Sequence, residues 1–406
     1  MAGQQFSLTS ASKLFKIKYE KLSENVYNSA NVLLGRVKKS YNFVGEKIQI
    51  TIPSSFSGGV GSGSLPKANT AKYERAELAA KKMYAVVEIE REAIKAALKD
   101  EGSFVRATKE VVKKGVESWM RNMSRTLFSD SSGKLGTISA ISGNTVTISD
   151  ATFKEANLEE QDLVNVLDAN AANPDTLVGG NTDPSLFEIV SVNVEDKEVE
   201  LSSVTGIAVG DSLVMQGSLK NDPEGLKGVL QKSDGRSASY TIDHGRRWEA
   251  VHEQAASAAV STDMLNKVML QIKKKCGKSP NLIVTSFKQY EKILNLLEDQ
   301  KRYSVPTRAG LKSKSGADIS FSGVEFMSID GPIGIFPERF VEDDTIYLLN
   351  DNHIHIHHRP DFGWFDDDGT VFLRKAAADS YEARYGGYLQ TYINPCFHGV
   401  ITDLSV

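Results

Sequence analysis

Cysteine is nearly absent: Cys276 and Cys396 are the only two in 406 residues. They lie far apart and form neither a CxxC pair nor a disulfide framework, which fits a reducing interior. Long apolar runs are missing too. None approaches the ~18 residues of a membrane span. The opening stretch, MAGQQFSLTSASKLFKIKYEKL, has no apolar signal core, so nothing points to a membrane or to secretion. Neither sign of charge dominates. Forty-eight Lys and Arg against 52 Asp and Glu leave a net charge of −4, which argues against a dedicated nucleic-acid binder. Histidine is scarce, yet four of the seven crowd into HIHIHH, 353–358.

Catalytic signatures are absent in the same way. HEQAA (252–256) begins like the zinc-protease HExxH but lacks the second histidine. No GxSxG elbow marks a serine hydrolase, and no Cys/His spacing gives a tetrahedral zinc site. The glycine-rich PSSFSGGVGSGSLP contains neither GxxxxGK[ST] nor GxGxxG, and no helix opens straight after it. It reads as a flexible loop tip. A glycosidase carboxylate pair cannot be picked out from 52 acidic residues.

HIHIHH is the remaining candidate metal centre. In a strand, residues i, i+2 and i+4 share a face. His353, His355 and His357 then line up, with Ile354, Ile356 and His358 opposite. Their β-carbons stand ~6.5–7 Å apart along the strand, whereas each nitrogen must come to about 2 Å of a metal. One straight strand therefore serves one ion poorly. The expectation is a strand buried on one side, with Ile354 and Ile356 toward the core and the three histidines toward water or a neighbour. No catalytic, cofactor or metal residue is assigned.

What the chain does have is length for two or three domains and the composition of a soluble globular protein. Residues 1–40 carry Lys13, Lys16, Lys18, Lys21, Arg36, Lys38 and Lys39 against Glu20 and Glu24, an excess of +5. This is either a solvated arm or a contact for an anionic partner. YNFVGEKIQITI (41–52) alternates as a strand. Residues 72–82 read as helical or mixed, MYAVVEIE (83–90) as a returning strand and REAIKAALKD as a short helix. Gly102 and Ser103 then open a long helix. Its stripe, Phe104, Thr108, Val112, Val116, Trp119, Met120, Met123 and Leu127, recurs at threes and fours. Arg106, Lys109, Lys113 and Lys114 occupy its wet face. At 1.5 Å per residue the helix is roughly 40 Å long.

After Asp130 the pattern changes. GTISAISGNTVTISD (136–150) reads strand–turn–strand, and FEIVSVNVEDKEVELSS (187–203) repeats it. Ile138 and Ile141 match Ile189 and Val192, while Val146 and Ile148 match Val199 and Leu201; QDLVNV and GDSLVM follow the two copies. This predicts an inserted, internally duplicated small β domain over 131–225. Beyond 226, helices and strands mix. Residues 248–276 read as largely helical and stopped by Pro280. NLIVTS is a strand, FKQYEKILNLLED a helix, and VEFMSID, DTIYLLN and HIHIHH are strands.

The order of these elements resembles the tailed double-stranded DNA phage major capsid proteins, whose fold is shared with encapsulins. KKMYAVVEIEREAIKAALKD and GSFVRATKEVVKKGVESWMRNMSRTLFSD resemble the returning strand of that family's extended loop and its spine helix. IYLLNDNHIHIHHRPDFGWF and TVFLRKAAADSYEARYGGYLQTYINP resemble its closing strands. The resemblance spans most of the chain as an order of elements and rests on no short motif. It implies an α+β capsid fold: an N-terminal arm (1–40), an extended β-hairpin loop (41–90), a peripheral domain (91–130 plus 351–395) and an axial domain (226–350 plus 396–406). The 131–225 insertion is a departure, since many members lack it. Forty residues before the loop leave no room for a long cleaved scaffolding region, so a separate scaffolding protein, or none, is expected. Lys47 and Lys67 lie in the loop, but nothing matches the asparagine site to which some relatives cross-link a loop lysine.

The implied function is a non-enzymatic shell protein that self-assembles into pentamers and hexamers of an icosahedral or prolate capsid around double-stranded DNA. Phe43, Ile48, Ile50, Ile52 and Phe56 are the expected inter-subunit contacts, and Lys13, Lys16, Lys18 and Lys21 the expected DNA-facing arm. The implied partners are the chain itself, a portal protein, packaged DNA and room for scaffolding and decoration proteins, with no membrane and no cofactor. Assembly is expected in the host cytoplasm and the final location is the virion. An encapsulin-like compartment around a protein cargo, and a metal-dependent or carbohydrate-active enzyme, are the alternatives.

Overall fold

The computed structural model describes residues 32–40, 47–55, 72–90, 101–149, 152–231 (except 172, 174, 182 and 183), 248–299, 308–312, 318–322, 324–328, 330–365, 371, 373–375 and 378–406. Two mixed layers and a barrel make up the molecule. The first layer is a sheet in the order β1 (Lys38–Ser40), β18 (Ile354–Trp364), β20 (Ser380–Ile393), β19 (Leu373–Arg374), with β4 (Lys81–Glu90) also paired to β20. β4 and β20 stay in antiparallel register over ten residues, from Lys81↔Leu389 to Glu90↔Ser380.

Against one face of this sheet lies α2 (Glu101–Leu127), the 27-residue helix that the sequence stripe predicts. Val116, Trp119, Met120, Met123 and Leu127 are all buried. Trp119 anchors the contact. Its ring lies 4.8 Å from that of Phe362 and 5.4 Å edge-on to Tyr385, and its indole N–H donates to the Met83 carbonyl at 3.2 Å. Burying a large apolar side chain of this kind contributes about 1.5–3 kcal/mol. Gly115 lets helix and sheet close together, because a Cβ there would come within 2.6 Å of Val87.

The second layer is a six-stranded sheet: β11 (Val251–Gln254), β21 (Gly399–Thr402), β17 (Ile346–Leu349), β12 (Leu282–Thr285), β16 (Gly331–Pro337), β15 (Val324–Ser328). Its central strands read as unbroken apolar runs because both faces are covered. Ile346 and Leu348 pack toward α4 (Thr262–Cys276) and α5 (Phe287–Asp299). Tyr347 and Leu349 point the other way and join the core that also holds Trp119 and Ile354. A separate two-stranded ladder, β13 (Arg308–Lys312) with β14 (Asp318–Ser322), precedes β15.

Three sequence expectations need correction. Residues 72–79 form strand β3 (Lys72–Ala79), paired with β2 (Lys47–Ser55), and no helix occurs there. Charged residues gave the stretch a helical look, but cross-strand pairs such as Lys47–Glu77 at 3.3 Å accommodate them on an open hairpin. Residues 248–276 are helical only from Thr262. Val251–Gln254 is drawn into a parallel pair with β21, and Ser261 caps the helix by accepting from the Met264 N–H. The helix stops before Pro280, at Gly277 in the left-handed conformation (φ +74°). REAIKAALKD lies outside the described residues.

Between α2 and the second layer the strands close into a barrel. β5 (Lys134–Ser142), β6 (Thr145–Ile148), β7 (Leu163–Leu167), β8 (Phe187–Asn193), β9 (Glu198–Leu201) and β10 (Ser212–Met215) close in the order β10-β5-β6-β9-β8-β7. This order is unchanged when β5, β6 and β7 are exchanged for β8, β9 and β10, as a quasi-two-fold requires. The hydrogen bonds obey the same exchange. The Gly210 N–H donates to Ile138 O and the Ile138 N–H to Asp211 O, while the Gln161 N–H donates to Ile189 O and the Ile189 N–H to Asp162 O. Ile138 and Ile189, Val146 and Val199, Ile148 and Leu201, and Val164 and Leu213 are all buried as equivalent pairs. A short helix, α3 (Leu226–Leu230), follows the barrel and buries Leu226, Val229 and Leu230.

Candidate assembly surfaces

The docked end of the arm is the first surface. α1 (Val32–Arg36) and β1 lie across both layers, and Leu33 and Leu34 are wholly buried. The Leu33 N–H donates to the Glu338 carboxylate at 3.1 Å. Burial pushes the Glu338 carboxyl up to about 7, against the lowering effect of the Leu33 and Val32 N–H groups. Arg36 pairs with Asp351 at 3.3 Å, and Lys38 donates to Asn352 at 2.9 Å. Lys13, Lys16, Lys18 and Lys21 lie outside the described residues.

β1 runs parallel beside the histidine strand, with Lys38 opposite His355 and Ser40 opposite His357. Ile354 and Ile356 are fully buried, as the alternation predicts. The histidines depart from it. His353 sits in a 3-10 turn (Asp351–His353) and stacks on Phe397 with ring centroids 3.6 Å apart. His357 is only 8% exposed, so it does not face water. β1, Tyr392 and Gln390 flank that face of β18 and close it off. Burial, with His355 and His358 nearby, holds the His357 imidazole down to about 4. His398, fully buried, is held at about 3 and accepts from the Asn350 N–H at 3.1 Å. Among the described residues, no group of three or more His, Cys, Asp or Glu side chains is placed to hold a metal ion.

The second surface is the hairpin β2–β3. Ile48 and Ile50 are half-buried and pack against their own subunit's core. Ile52 lies in β2. Phe43 and Phe56 lie outside the described residues.

The third surface was missed from sequence: the open face of the first sheet. β4 turns Met83, Ala85, Val87 and Ile89 toward the core, while Lys82, Tyr84, Val86 and Glu88 are exposed. The period of two in KKMYAVVEIE carries this signal. Tyr84 touches Phe365 and Tyr388 at 5.6 and 6.4 Å between centroids. Lys82 lies 6.0 Å from the Tyr388 ring.

The barrel is clamped to the body at buried charges. Arg125 meets Asp222 at 2.9 Å with both side chains only 6% exposed. Arg121 pairs with Asp162 at 2.5 Å and also with Glu159. Lys154 of the barrel and Lys227 share Glu342; although burial opposes them, the two ammonium groups hold the Glu342 carboxyl down to about 2. Charge is sharply segregated. Residues 131–225 hold four basic and sixteen acidic residues, a net −12, which leaves +8 on the remainder of the chain.

A long helix on a sheet reached by an extended hairpin, beside a second layered domain, is the architecture of a shell subunit. The capsid asymmetric unit of cyanophage A-1(L) is similar over 93% of this chain and 93% of that one, with TM-score 0.54 and 11% identity, a likeness of fold. The holo-SrpI encapsulin complex of Synechococcus elongatus is similar over 93% and 89%, at TM-score 0.46 and 8% identity. No curated protein sequence matches. The model of the SU10 major capsid protein family matches residues 62–368, about three quarters of the chain, and the chain belongs to that family. It is a structural component of a tailed-phage capsid and not an enzyme.

Proposed function

We propose that this capsid protein builds pentamers and hexamers that close into an icosahedral or prolate shell around double-stranded DNA. The observation that carries this reading is the charge segregation. A polyanion at the inner wall is favoured by the +8 remainder of the chain and repelled by the −12 barrel, so the barrel belongs on the outer face. Lys13, Lys16, Lys18 and Lys21 extend the inner positive surface toward the DNA. Residues 91–130 plus 351–395 serve as the peripheral domain, 226–350 plus 396–406 as the axial domain and 131–225 as the insertion. The extended loop, through Phe43, Ile52 and Phe56, holds neighbouring subunits, while Ile48 and Ile50 anchor its base to its own chain. A portal protein, and scaffolding or decoration proteins, complete the particle, which assembles in the host cytoplasm.

The test is expression of the chain followed by electron microscopy, with and without its phage partners. Closed shells with five- and six-fold capsomers are expected, and particles from infected cells should protect DNA from nuclease. Shells that enclose only protein cargo and never nucleic acid would overturn the DNA assignment.

A further inference from the structure

The barrel's own quasi-symmetry exposes a surface that the barrel does not need. On β7 and β8 the outward positions are Leu163, Glu188 and Val190, with Leu186 just before the strand; Leu163 lies directly opposite Glu188. The three apolar residues are 42–50% exposed. Glu200 on β9, hydrogen-bonded by the Ser191 hydroxyl at 2.9 Å, continues the same face. The quasi-two-fold carries Leu163, Glu188, Val190 and Glu200 onto Ser212, Thr137, Ser139 and Thr147. The related face is thus made of hydroxyls. Thr137 and Ser212 bond each other at 3.3 Å, and Ser139 donates to Thr147 O at 3.1 Å. One duplicated half is content with neutral polar groups where the other places leucine, valine and glutamate. Of the two faces the Leu163–Val190 one is the more exposed, since Ser212 is buried and Thr137 and Thr147 half-buried, and an apolar patch rimmed by charge marks an interaction surface.

The chain carries the complement elsewhere. Across β18, β20 and β4, Arg359, Tyr388 and Lys82 form one row on the open sheet face. The next row is Gly363, Gly386 and Tyr84, and the one beyond sets Arg384 opposite Val86. Val86 is 58% exposed. This face is aromatic and apolar, with Lys375 paired to Glu88 and Arg384 to Glu382, and with Lys82 and Arg359 as the further cations among its described side chains.

We propose that the Leu163–Val190 face of the barrel docks on the open peripheral-sheet face of a second copy of this chain. Apolar centre meets apolar centre, and Glu188 and Glu200 meet Lys82 and Arg359. Complementary charge fixes register and partner. The contact is heterologous, the kind that propagates around a ring or shell and does not stop at a dimer. It rests on the shell reading and names one of the interfaces that reading requires.

A charge swap tests it. Glu188→Lys with Glu200→Lys, and separately Lys82→Glu with Arg359→Glu, should each leave circular dichroism unchanged and cut shell yield at least tenfold. The chain carrying all four substitutions should regain most of that yield. A second measurement is independent of closed shells: Val190→Cys with Val86→Cys in one chain should give disulfide-linked chains on oxidation, and neither single variant should do so. If both swapped pairs assemble like the parent chain, or the fourfold variant folds without rescue, or the cysteine pair fails to link chains, the docking is wrong. A parent chain that forms no shells at all, while the double cysteine variant links chains and the single ones do not, would sink the shell reading and leave the contact standing.

Discussion

Glu338 shows how one buried carboxylate ties the arm to the body. Its folded-state value of about 7 lies above the ordinary 4.5, so the folded chain holds a proton that the unfolded chain releases. Its favourable contribution is complete below pH 4.5 and is lost as pH rises through 7. Glu338→Gln keeps an acceptor for the Leu33 N–H without the buried charge. It should therefore stabilise the subunit at pH 8 by on the order of 3 kcal/mol, a gain that fades by pH 5. His398 has the opposite sign. Its folded value of about 3 lies below 6.5, so its contribution is complete above pH 6.5 and is lost as pH falls, about 2 kcal/mol by pH 5. With Glu338 neutralised, nothing offsets this acid loss and the like-signed one of His357, held at about 4, and the variant should lose stability between pH 6.5 and 5 more steeply than the parent. Urea unfolding at pH 8, 6.5 and 5 reads both effects; a variant less stable than the parent at pH 8 would refute the assignment to Glu338. At the same scale, Gly386→Ala should cost about 1–3 kcal/mol, because a Cβ there would sit 2.1 Å from the Met83 carbonyl oxygen. Full stability in that variant would mean that β4 and β20 yield more readily than their ten-residue register implies.

Among the elements, the barrel is the one whose bonds close on themselves. Every strand pairs only within 134–215, so the fragment 131–225 made alone should unfold in one cooperative transition. Within the intact chain the clamp matters more than the barrel itself. Arg125→Met leaves Asp222 buried without its partner, which costs about 3–5 kcal/mol, and calorimetry should find the barrel melting apart from the rest. A single unshifted transition would show that Arg121 and the Lys154–Glu342–Lys227 cluster suffice. These elements were unequally legible in the sequence. The spine helix was plain because one apolar stripe meets one sheet and nothing competes with it. The duplication was plain because Ile138, Val146 and Ile148 fill the same interior places as Ile189, Val199 and Leu201. β3 was hidden, since YERAELA has the residues of a helix and becomes a strand only through its ladder to β2. β11 was hidden for the same reason, its partner β21 lying almost 150 residues away. His357 misled because a period of two identifies a shared face but cannot tell whether another strand closes it. The open sheet face needed β4, β18 and β20 side by side before Arg359, Tyr388 and Lys82 became one row.

For the whole molecule the question is which apolar surface belongs to the subunit and which to the shell. The base of the hairpin answers for itself. Ile48 and Ile50 pack on the core of their own chain, and Leu78 beside them is fully buried, so β2 and β3 are held without a neighbour. The loop between Ser55 and Lys72 has no such support in its sequence, SGGVGSGSLP, which offers little apolar mass for a core. A lone hairpin is marginal in water, and the core contacts described for this one lie at its base. Such a loop gains burial against another subunit, where an obligate interface buries on the order of 2,000 Å² or more. Replacing residues 56–71 by a two-residue Asn-Gly turn should leave the β2–β3 ladder, the circular dichroism and the melting temperature of the soluble subunit near those of the parent. Shell formation, followed by light scattering and electron microscopy, should fail or yield open fragments. Closed shells of normal thermal stability from this variant would move the burden of cohesion to the barrel and sheet faces, and the loop would lose its role as the clamp between subunits.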